Sequence, residues 1–174
     1  MRIIAGELKG RRLKAPTWNG LRPTSDKLRE TLFNVVAARV NGARVLDFYA
    51  GTGAIGIEAL SRGALHVTFV ENDRRAVHLI GENLLHCGLK DRYAIIRTPQ
   101  SLPAGSIDLA VLDPPYDAPD LTASIAAAEP LMAPAGLLVL EHARRRAAPD
   151  EVGRLRKTRD LVSGDSALAF YVST

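Results

Sequence analysis

The glycine-rich turn Gly51-Thr52-Gly53-Ala54-Ile55-Gly56 constrains this 174-residue chain more than any other segment. It follows the apolar run Val45-Leu46-Asp47-Phe48 and precedes a stretch of helical character that reaches Arg62. A G-x-G-x-x-G sequence between strand and helix lets the backbone turn tightly and approach a ligand where a Cβ would collide. The same rhythm continues downstream. Apolar runs predict strands over 67–71, 93–97, 107–112 and 137–141, alternating with helices over 74–86 and about 121–131. Such alternation implies a mostly parallel sheet with helices on both faces. Residues 156–162 and 167–172, flanking Ser163-Gly164-Asp165-Ser166, read instead as a C-terminal antiparallel hairpin. The fold expected is therefore α/β and Rossmann-like. Ligands of these sheets bind beyond the carboxyl ends of the strands.

Upstream of this pattern, residues 2–22 are broken by Gly6, Gly10, Pro16 and Gly20, which suits a short β-hairpin or arm. Thr24 is a candidate N-cap for a helix running to about Val40, where Asn41-Gly42 stops it. The chain length suits one domain with a real core, divided as a basic extension over 1–22 and the α/β body over 23–174. No apolar stretch approaches the roughly 18–20 residues of a membrane span, and the start Met1-Arg2-Ile3-Ile4-Ala5-Gly6-Glu7 lacks a secretory pattern. Cys87 is the single cysteine, which excludes an internal disulfide and fits a reducing cytoplasm. A cytoplasmic monomer without metal or membrane attachment is expected.

Charge is concentrated rather than spread. The net charge is +4, yet residues 1–30 hold eight basic residues (among them Lys9, Arg11, Arg12, Lys14 and Arg22) against three acids. A basic element on a near-neutral body suggests a polyanionic partner; a solvated basic surface is the alternative. A second cluster, Arg144-Arg145-Arg146 with Arg154, Arg156, Lys157 and Arg159, either extends that face or is exposed loop.

The glycine turn has two acidic companions. Glu71, twenty positions beyond Gly51 at the end of the next strand, can accept hydrogen bonds from both ribose hydroxyls of an adenosine moiety. That pattern suits a nicotinamide dinucleotide or S-adenosylmethionine equally. Asp47 separates the two, because a carboxylate four residues before Gly51 would repel a pyrophosphate but suits the cationic S-adenosylmethionine. The Asp-x-x-x-Gly-x-Gly order resembles the first motif of class I methyltransferases. Asp47 could otherwise serve only as a local cap in the turn. Ala50, Thr52 and Asn72 flank these residues and join the expected cofactor set.

Asp113-Pro114-Pro115-Tyr116, at another strand end, is the most specific sequence in the chain. It resembles the (Asn/Asp/Ser)-Pro-Pro-(Tyr/Phe) motif of methyltransferases acting on adenine N6, cytosine N4, guanine N2 or glutamine amides. An exocyclic base amine is a poor nucleophile because its lone pair is delocalised into the ring. If one N–H donates to the Asp113 carboxylate and the other to the Pro114 carbonyl, that lone pair can be aimed at a methyl group. Prolines fix φ and present the carbonyl rigidly, and Tyr116 offers a face on which a flipped base can stack.

Arg2-Ile3-Ile4-Ala5-Gly6, Lys9-Gly10-Arg11-Arg12-Leu13, the segment Arg22-Pro23-Thr24-Ser25-Asp26-Lys27-Leu28-Arg29-Glu30-Thr31-Leu32-Phe33-Asn34 and Asp47-Phe48-Tyr49-Ala50-Gly51-Thr52-Gly53 together resemble the RsmD family, over essentially the whole chain. Those bacterial enzymes form N2-methylguanine in 16S ribosomal RNA. The resemblance implies S-adenosylmethionine as methyl donor and 16S rRNA in a 30S subunit or assembly intermediate as partner, with the basic arm on RNA phosphates. It also suggests Arg22, Thr24 and Lys27 near the cofactor or base pocket. One departure stands out. The acidic residue that often follows the third strand in this class is missing from Arg97-Thr98-Pro99-Gln100-Ser101, which leaves Thr98 or backbone groups for the adenine.

Cys87 reads as a packing residue, since cytosine-C5 chemistry would want a cysteine where Asp113 stands. His66, His78, His86 and His142 show no metal-pairing pattern, and Trp18 could stack on RNA or pin the arm to the body. Three rival readings are a nicotinamide oxidoreductase, a DNA adenine-N6 methyltransferase and a non-catalytic RNA-binding assembly factor.

Overall fold

The computed structural model describes residues 1–21, 24–115 and 117–174. They form two compact units, Met1–Thr98 and Pro99–Thr174. Arg22, Pro23 and Tyr116 lie outside the described residues.

In the first unit the order is α1 (Asp26–Val35), β1 (Arg44–Phe48), α2 (Ala54–Ser61), β2 (His66–Val70), α3 (Arg74–His86) and β3 (Tyr93–Ile96). The three strands are parallel, in the order β3-β2-β1, with Val45 beside Val67 and Val67 beside Tyr93. β1 and β2 are buried along nearly their whole length, as strands covered on both faces must be. Every residue of α2 is buried, whereas α3 buries one stripe, Ala76, Leu79, Ile80, Asn83 and Leu84, at helical spacing. The helix-start expectation is corrected by one position. Ser25, not Thr24, caps α1, its side chain accepting from the Leu28 N–H at 3.1 Å. The α-helix also ends at Val35, and a 3-10 turn over Ala37–Arg39 replaces its expected last turn. The first residues double back through turns around Gly6 and Gly10, with an isolated antiparallel bridge between Arg2 and Arg12.

The second unit contains β4 (Ile107–Leu112), α4 (Leu121–Ala128), β5 (Met132–Ala143), β6 (Glu151–Val152), β7 (Leu155–Ser163) and β8 (Ser166–Ser173). The order is β4-β5-β8-β7-β6; β4 and β5 are parallel, and the remaining pairs antiparallel. Asp120 caps α4 by accepting from the Thr122 N–H at 2.8 Å. β5 is longer than its apolar run, and Pro134-Ala135-Gly136 is absorbed where its register with β4 shifts. The α/β fold with a mostly parallel sheet and a C-terminal antiparallel hairpin is thus observed. Among the described residues, no helix is long and apolar enough to cross a membrane, and no group of His, Cys, Asp or Glu could hold a metal ion.

Candidate active site

The glycine turn is built by backbone bonds to the neighbouring strand. Tyr49 and Ala50 both donate their N–H groups to the Val70 carbonyl at 3.1 Å, and Gly53 N–H donates to Ala50 at 2.7 Å. Gly51 and Gly53 have φ of 55° and 76°, and Gly53 is the N-cap of α2. The third glycine is required for packing. A Cβ on Gly56 would stand 2.2 Å from the ring of Phe69, so only glycine lets α2 lie this close to β2. Asp47, buried at the end of β1, accepts the Gly56 N–H at 2.8 Å and so serves the positive end of α2. The capping role considered for Asp47 is therefore present.

Glu71, just after β2, accepts three backbone bonds at 2.9 Å. Gly51 N–H reaches Oε2, and the N–H groups of Asn72 and Asp73 reach Oε1. Three backbone N–H donors thus fix this carboxylate against the glycine turn. Asp73 caps α3, and its hydrogen bond with Arg75 holds its carboxyl below the usual range. Asp47, Ala50, Gly51, Thr52, Gly53, Glu71 and Asn72 are thereby brought into one hydrogen-bonded neighbourhood. Thr98 lies exposed two residues after β3, and Thr24 half-buried two residues before α1.

A residue that sequence reasoning missed joins this turn to the N-terminal segment. Asn83, wholly buried in α3, donates to the Thr52 carbonyl at 3.0 Å and to the Lys14 carbonyl at 3.2 Å, and accepts the Lys14 N–H at 2.8 Å. Glu58 and Ser61 of α2 hold the other end. Glu58 accepts from Ile4, Ala5 and the Arg62 guanidinium, and Ser61 Oγ donates to Ala5 and accepts from Leu8. The basic extension is therefore docked along most of its length. The only sequence signal was an Asn, a Glu and a Ser on apolar helix faces.

In the second unit, Asp113, Pro114 and Pro115 follow directly from β4. Ala118 N–H donates to the Pro115 carbonyl at 2.8 Å, while Arg146 donates to the carbonyls of Ala118 and Pro119. Tyr116 lies outside the described residues.

The basic residues divide into those committed internally and those free to face solvent. Lys9 and Arg12 are exposed, Arg11 donates to the His86 carbonyl at 3.2 Å, and Lys14 pairs with Glu82 at 2.9 Å. Arg22 lies outside the described residues. Arg29, counted with the basic segment by sequence, is buried in α1 on Asp26 and the Arg2 carbonyl, so its charge is unavailable to a partner. Its desolvation lowers its pKa from the ordinary arginine value. The second cluster is largely neutralised, with Arg154 on Glu129, Arg156 on Glu151 and Lys157 between Asp150 and Asp160. Arg144 and Arg145 are exposed. The Arg75 guanidinium lies 5.1 Å from the Trp18 ring centroid, so Trp18 is pinned to α3. Cys87 is buried and its thiol pKa is raised by that burial, as a packing residue requires.

Comparison with known proteins agrees with this architecture. The family model described as Conserved hypothetical protein 95 matches residues 1–172. YlbH of Bacillus subtilis, a candidate rRNA methyltransferase by its name, is 36% identical over 98% of this chain and 98% of its own. Ribosomal RNA small subunit methyltransferase D of Haemophilus influenzae is 39% identical over 67% of this chain and 64% of its own. The solved structure of the Escherichia coli protein yhhF superposes with a TM-score of 0.86 at 31% identity, covering 99% of this chain and 97% of that one. With a family match along nearly its whole length and full-length relatives of this kind, the chain belongs to the Conserved hypothetical protein 95 family, the RsmD family of methyltransferases.

Proposed function

We propose that this chain transfers a methyl group from S-adenosylmethionine to the exocyclic N2 of a guanine in 16S rRNA, on a 30S subunit or an assembly intermediate. The observation that carries the reading is Asp113-Pro114-Pro115 at the carboxyl end of β4, in a chain whose relatives are named for small-subunit rRNA methylation. The working form is a cytoplasmic monomer, with residues 1–22 as basic extension and 23–174 as methyltransferase domain.

The glycine turn fits the donor. Gly51 and Gly53 take the positive φ that the turn at the end of β1 requires, Glu71 is a fixed acceptor for the ribose hydroxyls, and Asp47 adds negative charge suited to a cationic ligand. Ala50, Thr52, Asn72, Thr98 and Thr24 complete the binding set. When bound, S-adenosylmethionine supplies an electrophilic methyl on a positively charged sulfur. The amine's two N–H groups donate to the Asp113 carboxylate and the Pro114 carbonyl, which frees the nitrogen lone pair for attack. Pro115 stiffens that carbonyl and Tyr116 stacks the base. The nitrogen would need no strong base before attack, because its proton becomes acidic only once the methyl is in place and can then pass to water. Orientation and exclusion of water then carry most of the rate. Lys9, Arg11, Arg12, Lys14 and Arg22 contact RNA phosphates.

The test is transfer of labelled methyl from S-adenosylmethionine to 30S particles that lack the modification, followed by nucleoside analysis. N2-methylguanosine is expected. N6-methyladenosine would overturn the target assignment, and label in DNA but not in RNA would overturn the substrate class.

A further inference from the structure

The strand beside the tetrapeptide runs out into three consecutive arginines. β5 is parallel to β4, with Leu140 beside Leu112, and continues to Ala143, where the turn Arg144-Arg145-Arg146 begins. Arg144 is three residues past the level of Asp113, roughly 10 Å of extended chain. The turn therefore stands on the carboxyl-end rim, where ligands of parallel strands bind.

This turn is held firmly. Arg144 N–H donates to the Asp165 carbonyl at 2.8 Å, between β7 and β8, and Arg146 N–H donates to the Ala143 carbonyl at 2.9 Å. The Arg146 guanidinium reaches the Ala118 and Pro119 carbonyls, on the loop that follows the prolines. One arginine thus fastens the turn to that loop, and Arg144 and Arg145 are left exposed. Among the described residues, neither of these two side chains forms an ion pair or hydrogen bond, with Asp165 or any other acid. The rest of the second cluster differs. Arg154 lies on Glu129 at 2.8 Å, Arg156 is 3.5 Å from Glu151, and Lys157 sits between Asp150 and Asp160. The Arg159 guanidinium covers the Phe170 ring at 4.7 Å. A phosphate approaching Arg154, Arg156 or Lys157 meets their carboxylates as well, whereas Arg144 and Arg145 offer uncompensated charge.

We propose that Arg144 and Arg145 form a second RNA contact, binding backbone phosphates that flank the target nucleotide; this rests on the rRNA methyltransferase reading above. A base enters an amine-orienting site by leaving its stack, which brings its own sugar-phosphate backbone to the rim. Guanidinium groups suit phosphate because they present parallel N–H donors to two of its oxygens. A turn already tied by its backbone and by Arg146 loses little freedom on binding. Lys9 and Arg12 serve the RNA from the N-terminal extension, whereas this pair acts beside Asp113-Pro114-Pro115.

The experiment measures binding of, and methyl transfer to, 30S particles that lack the modification. If the wild type transfers no methyl to their RNA, the functional reading falls, and this inference with it. Once transfer is seen, Arg144→Ala and Arg145→Ala should each raise KM for the particle several-fold, more than they lower kcat. Each should also lower the slope of log affinity against log salt by about 1, and the double variant by about 2. Replacing both with lysine should retain most of the slope, because a point charge still displaces counterions. Arg154→Ala removes a charge that is already paired and should leave the slope unchanged. An unaltered slope in the double alanine variant overturns the proposal. So does an equal loss in Arg154→Ala, which marks diffuse attraction rather than a contact. Position is read with Arg145→Cys carrying a photo-cross-linker, since Cys87 is buried. Cross-links are expected on nucleotides adjoining the methylated one; cross-links to distant RNA, or to ribosomal protein alone, overturn the proposal.

Discussion

Glu58 Oε2, wholly buried in α2, accepts the backbone N–H of Ile4 at 2.8 Å, across 54 positions of sequence. Oε1 of the same carboxylate takes Ala5 N–H at 3.0 Å and the Arg62 guanidinium at 2.8 Å. One side chain thus fastens the N-terminal segment to the helix that begins at the glycine turn. Glu58→Ala would leave these donors without their acceptor and should cost about 3 kcal/mol. Urea denaturation reads the loss, and an unchanged midpoint would show that the segment is held elsewhere.

Gly6 and Gly10 both have φ near 84°, yet they should respond differently to alanine. A Cβ on Gly6 would stand 1.9 Å from the Ser61 carbonyl oxygen, whereas one on Gly10 meets nothing within 4 Å. Gly10→Ala should cost about 1 kcal/mol, the left-handed penalty alone. Gly6→Ala adds a backbone clash and should cost about 3 kcal/mol or release the segment. Hydrogen exchange at Ile4, Ala5 and Leu8 distinguishes these outcomes, and equal effects at both glycines would contradict the packing described.

Asp113→Ala should abolish turnover with little effect on the methyl donor. Methyl transfer is expected to fall by roughly 100-fold or more, while calorimetric affinity for S-adenosylmethionine stays near wild type. Undiminished turnover would remove Asp113 from the reaction.

Lys9→Ala and Arg12→Ala should each weaken binding to the RNA particle and lower the slope of log affinity against log salt by about 1. Arg146→Ala should leave that slope alone, because its guanidinium serves the Ala118 and Pro119 carbonyls. It should instead reduce turnover by loosening the loop after the prolines. A salt slope that falls in the Arg146 variant would place that side chain on RNA.

Tyr171 predicts an alkaline effect on stability. Its hydroxyl donates to the Pro149 carbonyl at 2.7 Å, and burial pushes its pKa well above the ordinary phenol value. Below an unfolded pKa of about 10, both states keep the proton and the stabilisation is complete. Above it, the unfolded chain ionises first, so stability falls as pH rises toward the folded value. Tyr171→Phe should be less stable at neutral pH and should lose less between neutral and strongly alkaline pH than wild type. Parallel stability curves for the two proteins would exclude this linkage.

Much of the sheet could be read from local pattern, because buried parallel strands must be apolar runs and the helices between them must carry apolar stripes. The run at 45–48 became β1, the α3 stripe appeared at its expected spacing, and Gly51–Gly56 and Asp113–Pro115 fell at strand ends as read. The first helix was harder. Thr24 and Ser25 are both good caps by type, and only the backbone path chose Ser25.

Local residue type and spacing sufficed for the α/β alternation, the glycine turn and the placing of Asp113-Pro114-Pro115 at a strand end, since each depends on neighbours within a few positions. Long-range partners were decided only by the folded chain. Charge counting could not separate exposed Lys9 and Arg12 from buried Arg29, nor free Arg144 from committed Arg146. Nor could it show that Glu58, Ser61 and Asn83 hold a segment more than 50 positions away. A polar side chain carries the same chemistry in water as in a core. Whether it binds RNA or backbone depends on which groups the fold has already brought within about 3 Å of it.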